Sequence, residues 1–291
     1  MRLAIGTAQF GQPYGIVNKI GQVSQCEAKA ILQLASVHGI NTLDTATTYG
    51  NSEERLGKVG IQGWDVISKI PGIPDDCKDL NGWVLSNVCQ SLTRLRATRL
   101  RGLLLHRPNQ LLGVRGRQLY EALLRLKDAG KVEKIGISIY EPSELDALCE
   151  HYSFDVVQAP FNVFDRRLFD SGWMRRLSSQ GVEIHVRSVF LQGLLLSSNQ
   201  VPVGFEKWKL LWFYWDKWIN IENLSPLRAT LGHVLSYPEV SRVVVGLDSL
   251  VQLEEILACI KSENLRAPEI LSSRDPDLLN PSRWASFLES I

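Results

Sequence analysis

The chain has 291 residues, of which 45% are hydrophobic, so it can build a large core, and an α/β barrel of ~250 residues is a single domain. The formal net charge of +1 gives no electrostatic reason to expect binding to nucleic acid or to an anionic membrane. No apolar run reaches the ~18 residues of a membrane span, and residues 1–6 are too short an apolar run for a signal peptide, so we expect a cytoplasmic protein.

The five cysteines are widely spaced, and no two of them have C-x-x-C spacing. An odd number of scattered cysteines is typical of reduced thiols and not of a disulfide framework or a zinc site. We therefore expect neither disulfides nor a bound metal.

Short apolar runs alternate with amphipathic segments along the whole chain. Strands are predicted at residues 3–5, 42–44, 65–69, 102–105, 135–138, 154–158, 182–186 and 243–245. Helices are predicted at residues 24–38, 84–95, 118–129, 174–179 and 249–260, with further helices beginning near Asn51 and Pro142. Such an alternation builds a parallel sheet through right-handed crossovers and predicts a single-domain (β/α)8 TIM barrel. The loop after the first strand lacks the G-x-G-x-x-G pattern expected of an open doubly wound sheet.

Two segments stand outside this alternation, and a tail follows it. Residues 11–23 are too long for a simple βα loop and predict a hairpin lid. Residues 202–219 form a Trp-rich insertion, and a helix there would place several tryptophans on one side. That helix could pack on the barrel, line the substrate pocket or contact another subunit. A polar C-terminal tail begins at about residue 267.

Four polar residues each follow a predicted strand: Asp44, Tyr49, Lys69 and His106. In a parallel barrel such positions converge at the C-terminal face, where the chemistry is carried out. An ammonium stabilises a phenolate, a carboxylate keeps a buried ammonium charged, and an imidazole N–H stabilises a developing alkoxide. We therefore predict these four as a catalytic group that delivers a proton to a carbonyl oxygen. Glu53 is interpreted as part of a solvated first helical turn.

The run from Asp44 to Glu53, DTATTYGNSE, resembles the signature of the aldo-keto reductases. Lys69 and the LHRP sequence that contains His106 follow in that family's order, and the resemblance continues through residues 136–138, 156–162 and 246–255. It covers nearly the whole chain. The resemblance implies a (β/α)8 barrel that reduces an aldehyde or ketone, possibly sugar-like, with NAD(P)H.

The resemblance also assigns roles by position. It implies that Tyr49 donates the proton, that His106 orients the carbonyl, that Lys69 lowers the pKa of Tyr49 and that Asp44 pairs with Lys69. The residues that it assigns to the cofactor follow strands or lie in the loops after them: Gly6, Thr7, Asp44, Ser138, Gln158, Arg187, Ser188, Leu191, Gly193, Gly246, Ser249, Gln252 and Glu255.

Some positions differ from the family pattern. Ile139 replaces an asparagine that contacts the carboxamide, and Arg187 stands where many members stack an aromatic ring on the nicotinamide. The family implies NADP(H) in preference to NAD(H). No lysine or arginine lies between Gly246 and Glu255, where many members bind the 2′-phosphate, and Asp248 is acidic. The choice between the two dinucleotides therefore stays open at this point.

Two other classes of function are considered. A nicotinamide-nucleotide-binding regulatory or interaction subunit would show little turnover and would use the Trp-rich segment as a partner surface. A barrel hydrolase or lyase that uses Asp44 and His106 would need metal ligands or a second pair of carboxylates, and the sequence shows neither. The expected partner is a small carbonyl substrate, and the sequence does not specify its identity or the oligomeric state.

Overall fold

The structure, a computed structural model, describes residues 1–196, 203–260 and 265–284. Its parallel strands pair in chain order, and the last strand closes the barrel against the first. The strands are β1 Leu3–Gly6, β2 Thr42–Asp44, β3 Asp65–Ile70, β4 Leu100–Leu105, β5 Val132–Ser138, β6 Val156–Pro160, β7 Glu183–Arg187 and β8 Arg242–Gly246. The predicted single-domain (β/α)8 barrel is confirmed.

Helices alternate with these strands and surround them. They are α1 Ala8–Gly11, α2 Gln25–Val37, α3 Ser52–Val59, α4 Leu80–Leu95, α5 Gly116–Asp128, α6 Glu144–His151, α7 Arg167–Asp170, α8 Trp173–Ser179, α9 Lys209–Ile221, α10 Pro226–Leu235, α11 Leu250–Cys259 and α12 Pro276–Leu279. Among the described residues, no helix is both long enough and apolar enough to cross a bilayer.

Helix α2 illustrates how local sequence positions these elements. The Ser24 hydroxyl accepts a 3.1 Å hydrogen bond from the Glu27 amide at the first turn, and the chain leaves the helix through Gly39, whose φ is +73°. Its buried residues recur at helical spacing: Ala28, Ile31, Leu32 and Ala35. Each buried aliphatic side chain of the size of leucine stabilises the packing by roughly 1.5–3 kcal/mol.

Helix α10 is absent from the predicted alternation, although the sequence carries two signals for it. The Ser225 hydroxyl accepts a 3.2 Å hydrogen bond from the Arg228 amide, and Pro226 occupies the first helical position. A serine cap followed by proline is typical of a helix start. The aromatic residues before it led us to predict the insertion at residues 202–219 and no helix after it.

The middle of the barrel is filled by a small apolar cluster, which we call the central layer: Ile67, Leu104 and Val156. Glycines on the neighbouring strands make room for it. A Cβ atom added to Gly136 would lie 2.0 Å from the Val156 carbonyl oxygen and 2.8 Å from Leu104 Cδ2, and one added to Gly102 would lie 2.8 Å from Ile67 Cδ1. Large and small residues therefore alternate between adjacent strands, as the layered interior of such a barrel requires.

A charged cluster lies near the beginnings of strands β4, β5 and β7. Glu183 accepts hydrogen bonds from Lys134 at 2.6 Å and Arg101 at 3.2 Å, and His185 Nε2 lies 3.5 Å from its carboxylate. The contact with His185, followed by the charge of Lys134, lowers the pKa of Glu183 to about 2. This end of a barrel usually serves stability.

The prediction of a hairpin at residues 11–23 is wrong. The segment forms turns and contains no strand. The side-chain oxygen of Asn18 accepts hydrogen bonds from the amides of Ile20 and Gly21 at 2.8 and 2.7 Å. These backbone amides are therefore bonded within a turn and not to a second strand. Asn18 Nδ2 also donates a 3.0 Å hydrogen bond to Asp248, which ties the segment to the loop after β8.

The Trp-rich segment forms α9, which is packed and not free. Trp212, Trp215 and Trp218 are buried in a second hydrophobic cluster together with residues that follow β6 and β7 and with apolar residues of the tail. Trp208 Nε1 donates a 3.1 Å hydrogen bond to Asp275 in that tail. This packing favours the first of the three roles considered, a helix against the barrel. Residue 202 and tail residues 285–291 lie outside the described residues.

Candidate active site

A buried ion pair lies at the C-terminal end of the barrel. Lys69 Nζ, on β3, donates a 2.6 Å hydrogen bond to Asp44 Oδ1, on β2, and a second bond of 3.0 Å to the Thr45 carbonyl oxygen. The Lys69 side chain is fully buried. Burial lowers the pKa of Lys69, and the neighbouring Asp44 carboxylate acts in the opposite direction. The pair places a cation with a fixed partner beneath the loop that carries Tyr49.

Tyr49 lies over this pair. Lys69 Nζ is 5.2 Å from the centroid of the Tyr49 ring, and the rings of Tyr49 and His106 are 5.9 Å apart at an interplanar angle of 58°. The backbone of this loop packs directly on α1, because a Cβ atom at Gly11 would lie only 1.7 Å from the Tyr49 carbonyl oxygen. Gly50 meets the carbonyl oxygen of Gly11 in the same way and has a φ of +51°. Both glycines therefore allow the close backbone contact between α1 and the loop that carries Tyr49.

The pKa of Tyr49 differs from expectation. The resemblance implies a lowered value, whereas burial and, secondly, the charge of Asp44 raise the pKa of Tyr49 above its ordinary 10. The charge of Arg187 acts in the opposite direction. Burial therefore outweighs the lowering that the resemblance implies. The phenol is protonated at neutral pH.

His106 completes the group. Its Nδ1 atom lies 3.3 Å from the Thr48 hydroxyl, and its backbone amide donates to the Ile70 carbonyl oxygen at 3.1 Å. Burial and, after it, the charge of Lys69 lower the pKa of His106 to about 3. The imidazole is therefore neutral at neutral pH, with one N–H donor and one acceptor nitrogen.

A cavity of about 350 Å³ opens beside these residues. Tyr49, His106 and Asp44 line it, whereas Lys69 lies beneath the surface. The following residues expected to bind the cofactor also line the cavity: Gly6, Thr7, Ser138, Gln158, Arg187, Ser188, Gly193, Gly246 and Gln252.

Three expected cofactor residues do not line the cavity. Leu191 is buried in the second hydrophobic cluster. The Ser249 hydroxyl accepts a 3.3 Å hydrogen bond from the Gln252 amide and so caps α11. Glu255 is exposed on that helix. Resemblance by position could not distinguish a residue whose side chain lines the cavity from one that packs behind the lining or caps a neighbouring helix.

The cavity residues fit a nicotinamide dinucleotide. A hydrogen-bonded row of Ser138, Gln158 and Asp44 offers amide and hydroxyl groups at strand ends, with Ser138 Oγ donating to Gln158 at 3.3 Å and Gln158 Nε2 donating to Asp44 Oδ2 at 2.7 Å. The loop after β7 has positive φ values at Ser188 (+58°) and Gly193 (+91°). Left-handed residues in a loop turn backbone N–H groups toward a bound anion, and their strain is typical of a ligand-binding segment.

Several lining residues were not expected from the sequence: Gln9, Tyr14, Val17, Asn18, Tyr140 and Phe190. Tyr14, Val17 and Asn18 enter the cavity wall because their segment folds back across the barrel mouth. A Cβ atom at Gly193 would lie 2.1 Å from Val17 Cγ2, which shows how closely the two loops approach. The unusual length of residues 11–23 was the available signal.

Glu53 is a structural residue, and its prediction as part of a solvated turn is wrong. It is 2% exposed and accepts hydrogen bonds from Ser68 at 2.7 Å, Ser91 at 2.5 Å and Arg94 at 2.9 Å. The side chain faces α4 and β3, so three donors satisfy its charge.

Within residues 1–196, 203–260 and 265–284, no group of three or more His, Cys, Asp or Glu side chains is arranged to hold a metal ion. None of the five cysteines is joined in a disulfide.

Comparison with known proteins gives consistent matches over most of the chain. Residues 2–271 match the model of the Aldo/keto reductase family. The chain is 26% identical over 267 residues to the Bacillus subtilis (strain 168) protein named Uncharacterized oxidoreductase YqkF, covering 84% of this chain and 85% of that protein. It is 25% identical over 306 aligned positions to the Arabidopsis thaliana protein named Probable voltage-gated potassium channel subunit beta, covering 92% of each.

A solved structure shares the fold. The holo form of aldo-keto reductase AKR11C1 from Bacillus halodurans superposes with a TM-score of 0.70 at 21% identity, covering 91% of this chain and 88% of that one. At this identity the similarity shows only that the two proteins share the barrel fold, and family membership rests on the match of residues 2–271 to the family model. The chain therefore belongs to the aldo/keto reductase family of NAD(P)H-dependent oxidoreductases.

Proposed function

We propose that this protein reduces an aldehyde or ketone to an alcohol, with Tyr49 as the proton donor. The observation that carries the proposal is the placement of the Tyr49 ring, 5.2 Å from Lys69 Nζ and 5.9 Å from the His106 ring, at one wall of the cavity. A bound nicotinamide cofactor would supply the hydride.

The chain's own residues would divide the remaining work. Tyr49 would give its proton to the carbonyl oxygen, and the Lys69 ammonium would stabilise the phenolate left behind. Asp44 would keep the lysine charged. Neutral His106 would donate an N–H to the same oxygen, which stabilises the negative charge that develops there.

For the cofactor we propose Ser138 and Gln158 as contacts of the carboxamide, Gly6 and Thr7 as further strand-end contacts, the loop from Ser188 to Gly193 for the pyrophosphate, and residues 246–255 for the adenosine end. Because of the family resemblance, we expect the protein to prefer NADP(H) to NAD(H). No lysine or arginine after β8 lines the described cavity, and Asp248 does. A charge-assisted hydrogen bond contributes about 1.5–3 kcal/mol, so without one we expect NADPH to bind less than about tenfold tighter than NADH.

Parallel titrations with NADPH and NADH test this proposal. Quenching of tryptophan fluorescence would report binding, and loss of nicotinamide absorbance with a panel of small aldehydes would report turnover. Saturable binding together with aldehyde-dependent oxidation supports a reductase. Binding of neither dinucleotide would refute the proposal.

A second candidate is a nucleotide-binding regulatory subunit with little turnover. The similarity to the Arabidopsis protein, whose name describes a channel subunit, favours it. Tight nucleotide binding without turnover over a broad carbonyl panel, together with a stable complex in pull-down, would favour this candidate over the reductase.

A further inference from the structure

Arg187 is a cation in the cavity wall. It ends β7, and within the described part of the chain no carboxylate forms an ion pair with it. Its Nη1 donates to the Ser188 hydroxyl at 3.2 Å and its Nη2 donates to the Ile139 carbonyl oxygen at 3.0 Å, and both of these acceptors are neutral. A guanidinium has five N–H donors, and most of them are therefore still available.

The nearby carboxylates are already engaged. Asp44 is paired with Lys69 at 2.6 Å, and Asp165 is paired with Arg167 at 2.7 Å. Asp248, the other acidic residue of the cavity lining, accepts a hydrogen bond from Asn18. Arg187 therefore makes no direct contact with these carboxylates, and a partly buried guanidinium is stabilised by a ligand that supplies a counter-charge in hydrogen-bonding contact.

The guanidinium is also held in a fixed plane. Its central carbon lies 4.6 Å from the centroid of the Tyr140 ring, and Tyr140 itself lines the cavity. Stacking on an aromatic ring and the bond to the Ile139 carbonyl restrict the rotation of the side chain. A fixed fork of this kind is suited to bidentate binding of a carboxylate or phosphate group.

Arg187 is close to the reacting end of the cavity. It lines the same cavity as Tyr49 and His106. Its positive charge opposes the rise in the pKa of Tyr49 and adds to the lowering of the pKa of Lys69 and His106. An anion bound by Arg187 would therefore lie beside the carbonyl that Tyr49 protonates.

We propose that Arg187 makes this site selective for carbonyl substrates that carry an anionic group, a carboxylate or a phosphate, near the reacting carbon. This inference rests on the proposed reductase function. Arg187 acts here as a residue that determines specificity, and the proton and hydride transfers stay with the groups described above.

Matched substrates test the inference. The ratio of kcat/KM for 4-carboxybenzaldehyde to that for benzaldehyde is measured in the parent protein, in Arg187→Gln and in Arg187→Lys. We expect the parent ratio to exceed about ten, and we expect Arg187→Gln to lower it by about ten- to a hundredfold. Arg187→Lys should give an intermediate ratio, because lysine keeps the charge and loses the fork. Glyceraldehyde 3-phosphate against glyceraldehyde provides the phosphate arm, and the larger of the two preferences identifies the anion.

Arg107→Gln serves as the control, since Arg107 is an exposed arginine whose charge also acts on His106 and which does not line the cavity. Its selectivity ratio should equal that of the parent. A parent ratio near one in both arms would overturn the inference. A ratio that Arg187→Gln leaves unchanged while NADPH affinity falls would also overturn it, because Arg187 would then belong to the cofactor site.

A binding measurement separates this inference from the proposed function. Calorimetry compares benzoate with benzamide on the NADPH-saturated protein and on Arg187→Gln. A preference for benzoate that is lost in the variant supports anion selectivity even if no aldehyde is turned over, in which case the reductase proposal alone fails. Equal affinities in the parent would overturn the inference.

Discussion

Gln158 Nε2 donates a 2.7 Å hydrogen bond across the barrel to Asp44 Oδ2, while Lys69 occupies the other oxygen of the same carboxylate at 2.6 Å. The Asp44 carboxylate therefore connects Lys69, which lies beside the proposed proton donor Tyr49, with Gln158, the proposed contact of the carboxamide. A substitution at Gln158 should for this reason also alter the charge environment of Lys69.

Replacement of Gln158 by glutamate should place a second carboxylate against Asp44. Two adjacent carboxylates cannot easily both ionise, so one of them should take up a proton with a raised pKa. We expect turnover of Gln158→Glu to be low at pH 8 and to recover in part near pH 5–6. The pH profile of kcat checks this. Gln158→Met is the neutral control and should be impaired without such recovery, and a profile for Gln158→Glu like that of the parent would contradict the coupling.

Replacement of Tyr49 by phenylalanine removes the phenolic hydroxyl and keeps the ring that packs over Lys69. General acid catalysis typically contributes about 10²–10⁴-fold, so kcat for a test aldehyde should fall by that factor while the dissociation constant for NADPH stays within about twofold. Stopped-flow turnover and fluorescence titration measure the two quantities. Tyr120→Phe is the control, because that hydroxyl bonds the Ser153 carbonyl oxygen on the outer surface. Parent-like turnover in Tyr49→Phe would remove Tyr49 from its proposed role.

Replacement of Gly11 by alanine should displace the loop that carries Tyr49 without a substitution inside the cavity. The added Cβ would lie 1.7 Å from the Tyr49 carbonyl oxygen, so one backbone must move. A displacement of about 1 Å can cost about 10²-fold in rate, and we expect kcat to fall by that order. Gly113→Ala is the matched control, since its Cβ would meet only the Gln110 carbonyl oxygen, at 3.4 Å. An unchanged kcat in Gly11→Ala would show that the close approach does not position Tyr49.

Acid should destabilise the protein partly through His233. Burial, followed by the charges of Arg166 and Arg266, lowers its pKa to about 3, so between about pH 6.5 and 3 the unfolded chain binds a proton that the folded chain excludes. The free energy of unfolding therefore falls as the pH falls. Between pH 6.5 and pH 5, one such group lowers it by about 1.6 kcal/mol.

Urea unfolding at pH 7 and pH 5 measures this contribution. His233→Gln should reduce the loss of stability between the two pH values by roughly 1–2 kcal/mol, whatever its stability at pH 7. His38→Gln, at an exposed position, is the control. An equal loss in His233→Gln and in the parent would contradict the assignment.

The barrel was predictable because its determinants are local. Runs such as residues 65–69 and 102–105 are apolar enough to form buried strands, and the polar residue after each run lies where parallel strands end. The order of Asp44, Tyr49, Lys69 and His106 was therefore enough to place them together, and the structure extends their strands by only a few residues.

The remaining features depend on contacts between distant parts of the chain. Glu53 carries the same side chain whether it faces water or Ser68, Ser91 and Arg94, so its local sequence could not reveal its burial. Tyr14 lines the cavity in a segment that Asn18 ties to Asp248, in the loop after the neighbouring strand β8. The upward shift in the pKa of Tyr49 likewise depends on three-dimensional burial, which no spacing of residues expresses.

The central layer of Ile67, Leu104 and Val156 has a consequence for traffic through the molecule. These three side chains carry no group that could relay a proton, and they lie in the barrel interior between Lys69 near the end of β3 and Glu183 at the start of β7. With Tyr49 as the proposed proton donor, we expect its proton to be replaced from the cavity side and not through the barrel interior.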